Sequence, residues 1–146
     1  MVQRVRAARI EVAGEVVGEM GAGLLALVGV GRGDDVAAAR ELARRLVQLR
    51  VFEDDAGRMN RALVESGGTL GIVSQFTLFG DTRQGRRPSF IEAAPADQAE
   101  PLIEAVVAAA RAEGVAVVTG RFRAEMQVHL VNDGPVTLLL DTEKRF

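Results

Sequence analysis

The chain has 146 residues, 48% hydrophobic and 26% charged, with a formal net charge of −2; this suits one domain with a sizeable core and excludes a wholesale coater of nucleic acid. It has no cysteine, which rules out a disulfide framework, thiolate metal sites and a cysteine nucleophile. No apolar run reaches the length of a membrane span, and the start MVQRVRAARIEV lacks the apolar core of a secretion signal, so a cytosolic protein with no membrane partner is expected.

In chain order, Met1 to Val12 reads as a strand carrying a small basic patch, Arg4, Arg6 and Arg9. Ala13-Gly14 turns it into a second strand, Glu15 to Met20, and GLLALVGVG is a continuous apolar run suited to a central strand. Gly29, Gly31 and Gly33 then form a weak nucleotide-loop candidate. Their spacing misses the dinucleotide pattern, no Gly-Lys-Ser/Thr follows, and Asp34 and Asp35 put negative charge where a phosphate would sit. Capping a helix is the better use of those aspartates. That helix, Asp35 to Leu49, has an apolar stripe of Val36, Ala39, Leu42, Leu46 and Leu49. A short strand at Val51-Phe52, a turn at Asp54 to Gly57 and an ambiguous segment from Asn60 to Glu65 lead to the break Ser66-Gly67-Gly68.

The most informative stretch is GIVSQFTLFGDTRQGRRPSF, Gly71 to Phe90. Alternation puts Ile72, Ser74, Phe76 and Leu78 on one face and Val73, Gln75, Thr77 and Phe79 on the other. Both faces are largely apolar, so a strand buried on both sides is expected, with Ser74, Gln75 and Thr77 hydrogen-bonded inside it. A basic, glycine-containing loop with Asp81, Arg83, Arg86 and Arg87 follows. A rigid strand feeding such a loop is a common support for reacting groups; a core strand with satisfied polar groups and a solvated loop reads equally well.

A second helix runs from Asp97 to about Glu113, with Asp97 and Glu100 in capping-box-like positions and Pro101 near the first turn. Gly114 stops it. Strands follow at Val115 to Thr119, Met126 to Val131 and Val136 to Leu140, and the polar tail Thr142 to Phe146 is expected to fray. Between the last two strands, Asn132-Asp133-Gly134-Pro135 reads as a hairpin turn. His129 is the only histidine; a lone histidine in a strand is more often structural or superficial than a catalytic base, and no spacing suggests a zinc site. With no repeat or linker, residues 1–146 read as one α+β domain in which two main helices cover mostly antiparallel sheets.

SQFTL followed by DTRQGRRPSF, then TGRF with MQV, then NDGPVT before a final apolar strand, resembles the D-aminoacyl-tRNA deacylase family. QRV near the start and GEVVGEMGAGLLALVGVG resemble it too, so the similarity runs from Gln3 to about Asp141. The resemblance implies a homodimer with a compact, barrel-like sheet. It implies hydrolysis of the ester joining a D-amino acid or mischarged glycine to tRNA, with no cofactor, no metal and no DNA partner. It also implies active sites at the subunit interface, where a Gly-Pro pair in cis from one subunit enters the pocket of the other.

Carried over, the catalytic stretch is Ser74, Gln75, Phe76 and Thr77. The substrate-binding residues are Gly134 and Pro135, Arg4 as the support of that loop, and Met126. Arg123, Glu125 and His129 stand where the family pattern has a small residue, aspartate and serine. On this reading Phe76 and Thr77 N–H groups hold the oxyanion, while Ser74 and Gln75 fix the terminal adenosine or order the strand. The terminal ribose 2′-hydroxyl then activates water, with Thr77 as nucleophile the alternative. Two other classes remain open: a tRNA-binding editing-type module without hydrolytic activity, and a purely structural dimerisation domain.

Overall fold

The computed structural model describes all residues, Met1–Phe146. Three antiparallel strands open the chain: β1 (Val2–Val12), β2 (Glu15–Met20) and β3 (Gly23–Val28). Helix α1 (Val36–Gln48) follows, then the small antiparallel pair β4 (Arg50–Glu53) and β5 (Met59–Ala62), and the one-turn α2 (Leu63–Ser66), which resolve the ambiguous 60–65 segment. Next come β6 (Thr69–Ser74), a 3₁₀ turn (Phe76–Phe79), α3 (Ala96–Ala112), β7 (Val117–Thr119) and the long β8 (Gln127–Leu138).

The main sheet runs β2-β1-β3-β6-β7, and β8 also pairs with β1. β1 is antiparallel to β2, β3 and β8, whereas β3–β6 and β6–β7 are parallel. The sheet curls until its ends nearly meet. A Cβ at Gly18 of β2 would lie 2.7 Å from the Thr119 carbonyl oxygen and 2.8 Å from Val118 Cγ1 of β7, so only a glycine lets these edges approach.

Strand alternation divides the core. Leu24, Ala26 and Val28 of β3, with Leu70 and Ile72 of β6, face α1 and α3 and pack on Ala43, Leu46, Val47, Ile103 and Val106. Leu25 and Val73 point into the curl, against Val5, Ala8, Ile10 and Met20. A Leu or Ile at such a fully buried position contributes roughly 1.5–3 kcal/mol by burial.

Helix α1 starts as its aspartates suggest. Asp35 is the N-cap and accepts from Ala38 N at 2.8 Å, while Asp34 Oδ2 accepts from Gly31 N at 2.7 Å. Helix α3 differs in its start: Pro95 holds the cap position with no side-chain bond, and Asp97 sits in the first turn, where its charge complements the helix dipole. The tail has partners: Arg45 Nη1 donates to the Asp141 carbonyl at 2.6 Å, and Arg145 Nε to Asp141 Oδ2 at 2.7 Å.

The 132–135 segment is not a hairpin. Residues on both sides of it pair antiparallel to the same strand, as β1 passes from Val5 (opposite Asn132) to Gln3 (opposite Thr137). A hairpin would have set the flanks against each other; here the surplus residues bulge out of one continuous strand.

Candidate active site

β6 ends sooner than its alternation suggests. Gln75 N makes the last bond to a neighbouring strand, donating to Val28 O at 2.8 Å. Beyond that point β3 has finished, and β7 reaches only as far as Thr119, opposite Ile72. With no strand left to take its backbone groups, the chain bonds to itself: Leu78 N to Gln75 O at 3.3 Å and Gly80 N to Thr77 O at 3.0 Å. The expectation of a strand buried on both faces through Phe79 is therefore corrected, and Phe76 and Leu78 are 57% and 43% exposed.

Phe79 pins this turn. Its ring lies so close to Gly29 and Gly31 that a Cβ there would come within 2.9 and 3.1 Å of it. The two glycines are thus seats for an aromatic ring, and Asp34, bonded to Gly31 N, occupies the place a phosphate would need.

At the turn, the Phe76 and Thr77 N–H groups have no acceptor within the chain. The Gln75 amide is hydrogen-bonded to the Thr77 hydroxyl. Whichever way that amide is turned, it offers no basic atom. The one histidine does not supply it: His129 is exposed on β8, with Nε2 3.4 Å from Glu11 Oε2. The Thr77 hydroxyl therefore hydrogen-bonds to no base, and no group of three or more His, Asp or Glu side chains is placed to hold a metal.

Ser74, on the helix-facing side of β6, lines a cavity of about 330 Å³. Its walls include Ile103 and Val107 of α3, Thr119 at the end of β7, and Gly120, Phe122 and Met126 of the following loop. Met126 is fitted against the glycine, since a Cβ at Gly120 would lie 2.6 Å from its sulfur. Phe122, Ile103 and Val107 were not singled out individually from the sequence, although TGRF carried the first of them; a helix stripe gives no sign of which members leave a void. A larger groove of about 660 Å³ runs from Leu78–Arg83 past α1 to the tail. It takes in none of Ser74, Gln75, Phe76 or Thr77, whereas the smaller cavity takes in Ser74.

The second motif lies elsewhere on the chain. Gly134-Pro135 is a cis peptide at the tip of the β8 bulge, and both residues are exposed. Buried Arg4 holds the bulge from behind, donating from Nε to the Asp133 carbonyl at 2.9 Å and from Nη1 to the Val51 carbonyl at 2.6 Å. Asn132 Oδ1 accepts from Val136 N at 2.8 Å across it. Gly134 has φ +143°, and a Cβ there would lie 2.7 Å from Val136 Cγ2 and 3.2 Å from Arg4 Nη2, so only glycine fits. Neither Gly134 nor Pro135 lines the Ser74 cavity of its own chain.

The arginine loop has a fixed base and a free tip. Asp81 and Ser89 bond to each other's backbone at 2.8 and 2.9 Å. Arg83 is committed to Asp81 through Nε at 2.9 Å and Nη2 at 2.6 Å, and this pairing pulls the Asp81 carboxyl down to about 2. Arg86 and Arg87 make no ion pair.

The family model described as D-Tyr-tRNA(Tyr) deacylase matches residues 1–141. A D-aminoacyl-tRNA deacylase of Symbiobacterium thermophilum is 57% identical over 100% of this chain and 97% of its own length. One from Desulfitobacterium hafniense is 56% identical over 100% and 98%. A solved structure described as c-Myc DNA Unwinding Element Binding Protein superposes with a TM-score of 0.89 at 35% identity, covering 96% of this chain and 95% of that one. A probable eukaryotic D-amino acid tRNA deacylase, 18% identical with a TM-score of 0.77, covers 91% and 92% and shares the fold.

Proposed function

The chain belongs to the D-Tyr-tRNA(Tyr) deacylase family, and we infer that it hydrolyses the ester joining a D-amino acid to tRNA, releasing tRNA and amino acid as a proofreading step of translation. The geometric observation that carries this reading is the pair of unbonded Phe76 and Thr77 N–H groups in the turn that directly follows the cavity-lining Ser74. An aminoacyl ester is already activated, so position and an oxyanion site matter more than a strong base. Water attacks the ester carbonyl carbon, the two amides hold the resulting oxyanion, and the neighbouring ribose 2′-hydroxyl takes the proton from water as it passes its own to the ribose 3′-oxygen. Collapse breaks the bond to the ribose 3′-oxygen, which leaves protonated. The absence of any base hydrogen-bonded to the Thr77 hydroxyl supports this route over a threonine nucleophile.

The Ser74 cavity suits the terminal adenosine. About 330 Å³ lies within the range of small-ligand sites, and its aromatic and thioether walls match a purine while Ser74 and Thr119 offer polar contacts. The amino acid would then lie over the exposed 3₁₀ turn. Gly134-Pro135 of a second subunit closes that space, blocking the direction an L side chain takes while main-chain carbonyls hold the α-amino group. The exposure of Phe76, Ile91, Val131, Leu138 and Leu139 on one chain supports such a homodimer. Glycine, with no side chain to exclude, is hydrolysed too. Arg86 and Arg87 are free to meet tRNA phosphates.

A cytoplasmic site of action fits this role, and no helix is long and apolar enough to cross a membrane. The test is loss of ester from matched D- and L-tyrosyl-tRNA. The D ester should disappear at catalytic rates while the L ester persists. Binding of both without turnover of either would instead favour a tRNA-binding module.

A further inference from the structure

β6 and β7 are parallel neighbours, with Ile72 opposite Thr119, so the segments that follow both strands leave from the same edge of the sheet. The loop after β7, Gly120 to Met126, forms one rim of the Ser74 cavity and carries Arg121 and Arg123. Both are exposed, and neither side chain makes a hydrogen bond or an ion pair within the protein. Most other arginines near carboxylates are spent: Arg9 on Glu11, Arg44 on Glu41, Arg61 on Asp55, Arg83 on Asp81 and Arg145 on Asp141. Arg111, also on the cavity wall, donates to the Val117 carbonyl.

Arg123 has a second peculiarity. Its φ is +64°, left-handed backbone that a long side chain disfavours and glycine adopts freely. The fold would be served better by glycine there. Ala13 and Lys144 share a positive φ, but Arg123 alone of the three borders the Ser74 cavity's rim, with no side-chain hydrogen bond or ion pair to hold it. The charges around it set a direction. Glu100 and Glu104 of α3 line the opposite wall, so an anion reaching the cavity is repelled from the helix side and drawn to the rim, where Arg121 and Arg123 outweigh the single carboxylate of Glu125.

We propose that Arg121 and Arg123 grip the backbone phosphates of the single-stranded tRNA end as its last nucleoside enters the Ser74 cavity. The proposal rests on the deacylase reading and deepens it. Arg121, on the cavity wall, takes the phosphate of the terminal nucleotide; Arg123, further out, takes the one before it. Guanidinium forks suit phosphate oxygens, and each phosphate neutralised on a single strand contributes a slope of about −0.7 to log affinity against log salt.

The test uses two readouts on the full chain. One is salt-dependent binding of an uncharged, fluorescent acceptor minihelix ending in CCA. The other is steady-state cleavage of D-tyrosyl-tRNA beside D-tyrosyl-adenosine, which has no phosphate. Arg123→Gly should melt no lower than the parent, because it relieves the backbone. It should nevertheless weaken minihelix binding and raise KM for D-tyrosyl-tRNA on the order of threefold to tenfold, with kcat within about twofold, and flatten the salt slope by about 0.7. Arg121→Gln should flatten it similarly, and for both the loss should be confined to phosphate-bearing substrates. An Arg123→Gly protein with unchanged binding and salt slope would overturn the proposal, as would equal losses on D-tyrosyl-adenosine. Failure of the parent to cleave either ester would instead remove the deacylase reading, while minihelix binding still judges the arginines.

Discussion

Thr77 carries a hydroxyl whose one partner is the Gln75 amide, and it hydrogen-bonds to no base. Thr77→Val should therefore keep much of the rate on D-tyrosyl-tRNA. Because Thr77 is exposed, the lost bond should cost no more than about 1 kcal/mol in urea unfolding. A folded, tRNA-binding but inactive variant would return the nucleophile role to Thr77. Arg4 is different, buried and bonded to two carbonyls. Arg4→Met leaves both acceptors short of a donor and should cost about 1–3 kcal/mol, with activity falling as the 132–135 bulge loosens. At Asp81 the folded carboxyl is depressed from 3.8 to about 2 by Arg83. The pair's stabilisation is thus complete above 3.8 and fades as pH falls toward about 2. The Asp81 carboxyl resonance should titrate there, and Arg83→Ala should move it back toward 3.8. Individual residues with a local job were legible in the sequence, Asp35 as a cap among them. Arg123 was visible only as a departure from a pattern, because its backbone angle is written nowhere in the chain.

Among the elements, the reach of β6 was misjudged for a definite reason. Alternation reports which side chains could share a face, yet a strand continues only while a neighbour takes its backbone bonds. β3 ends at Val28, a fact about another segment. The β8 bulge was hidden in the same way, since Asp-Gly between apolar runs is the local signature of a hairpin and only pairing with β1 distinguishes the two. The glycines after β3 gain their meaning from Phe79, fifty residues on by rough count along the chain. Gly29→Ala should push that ring, now 2.9 Å from the added Cβ, and shift the turn bearing Phe76 and Thr77. Displacements of about 1 Å at reacting groups cost on the order of a hundredfold. A drop in kcat of at least tenfold with the helical circular dichroism retained is the expected outcome; wild-type kcat would detach the turn from catalysis.

At the scale of the molecule, the Ser74 cavity and the Gly134-Pro135 tip do not meet within one chain, so the proposed site needs two. Mixing a Gly134→Ala protein with a Gly29→Ala protein should restore activity through heterodimers carrying one intact site. No recovery after confirmed subunit exchange would argue against a shared site. We propose that such a site selects by exclusion, with a rigid backbone wall that forbids the L side chain and little reading of the D one. Rates at limiting enzyme for glycyl, D-alanyl, D-tyrosyl, D-aspartyl and L-alanyl esters on one tRNA body test it most directly. The glycyl ester and all three D esters should be cleaved, with L-alanyl resistant; rapid D-alanyl and D-tyrosyl cleavage beside a resistant glycyl ester would rule exclusion out.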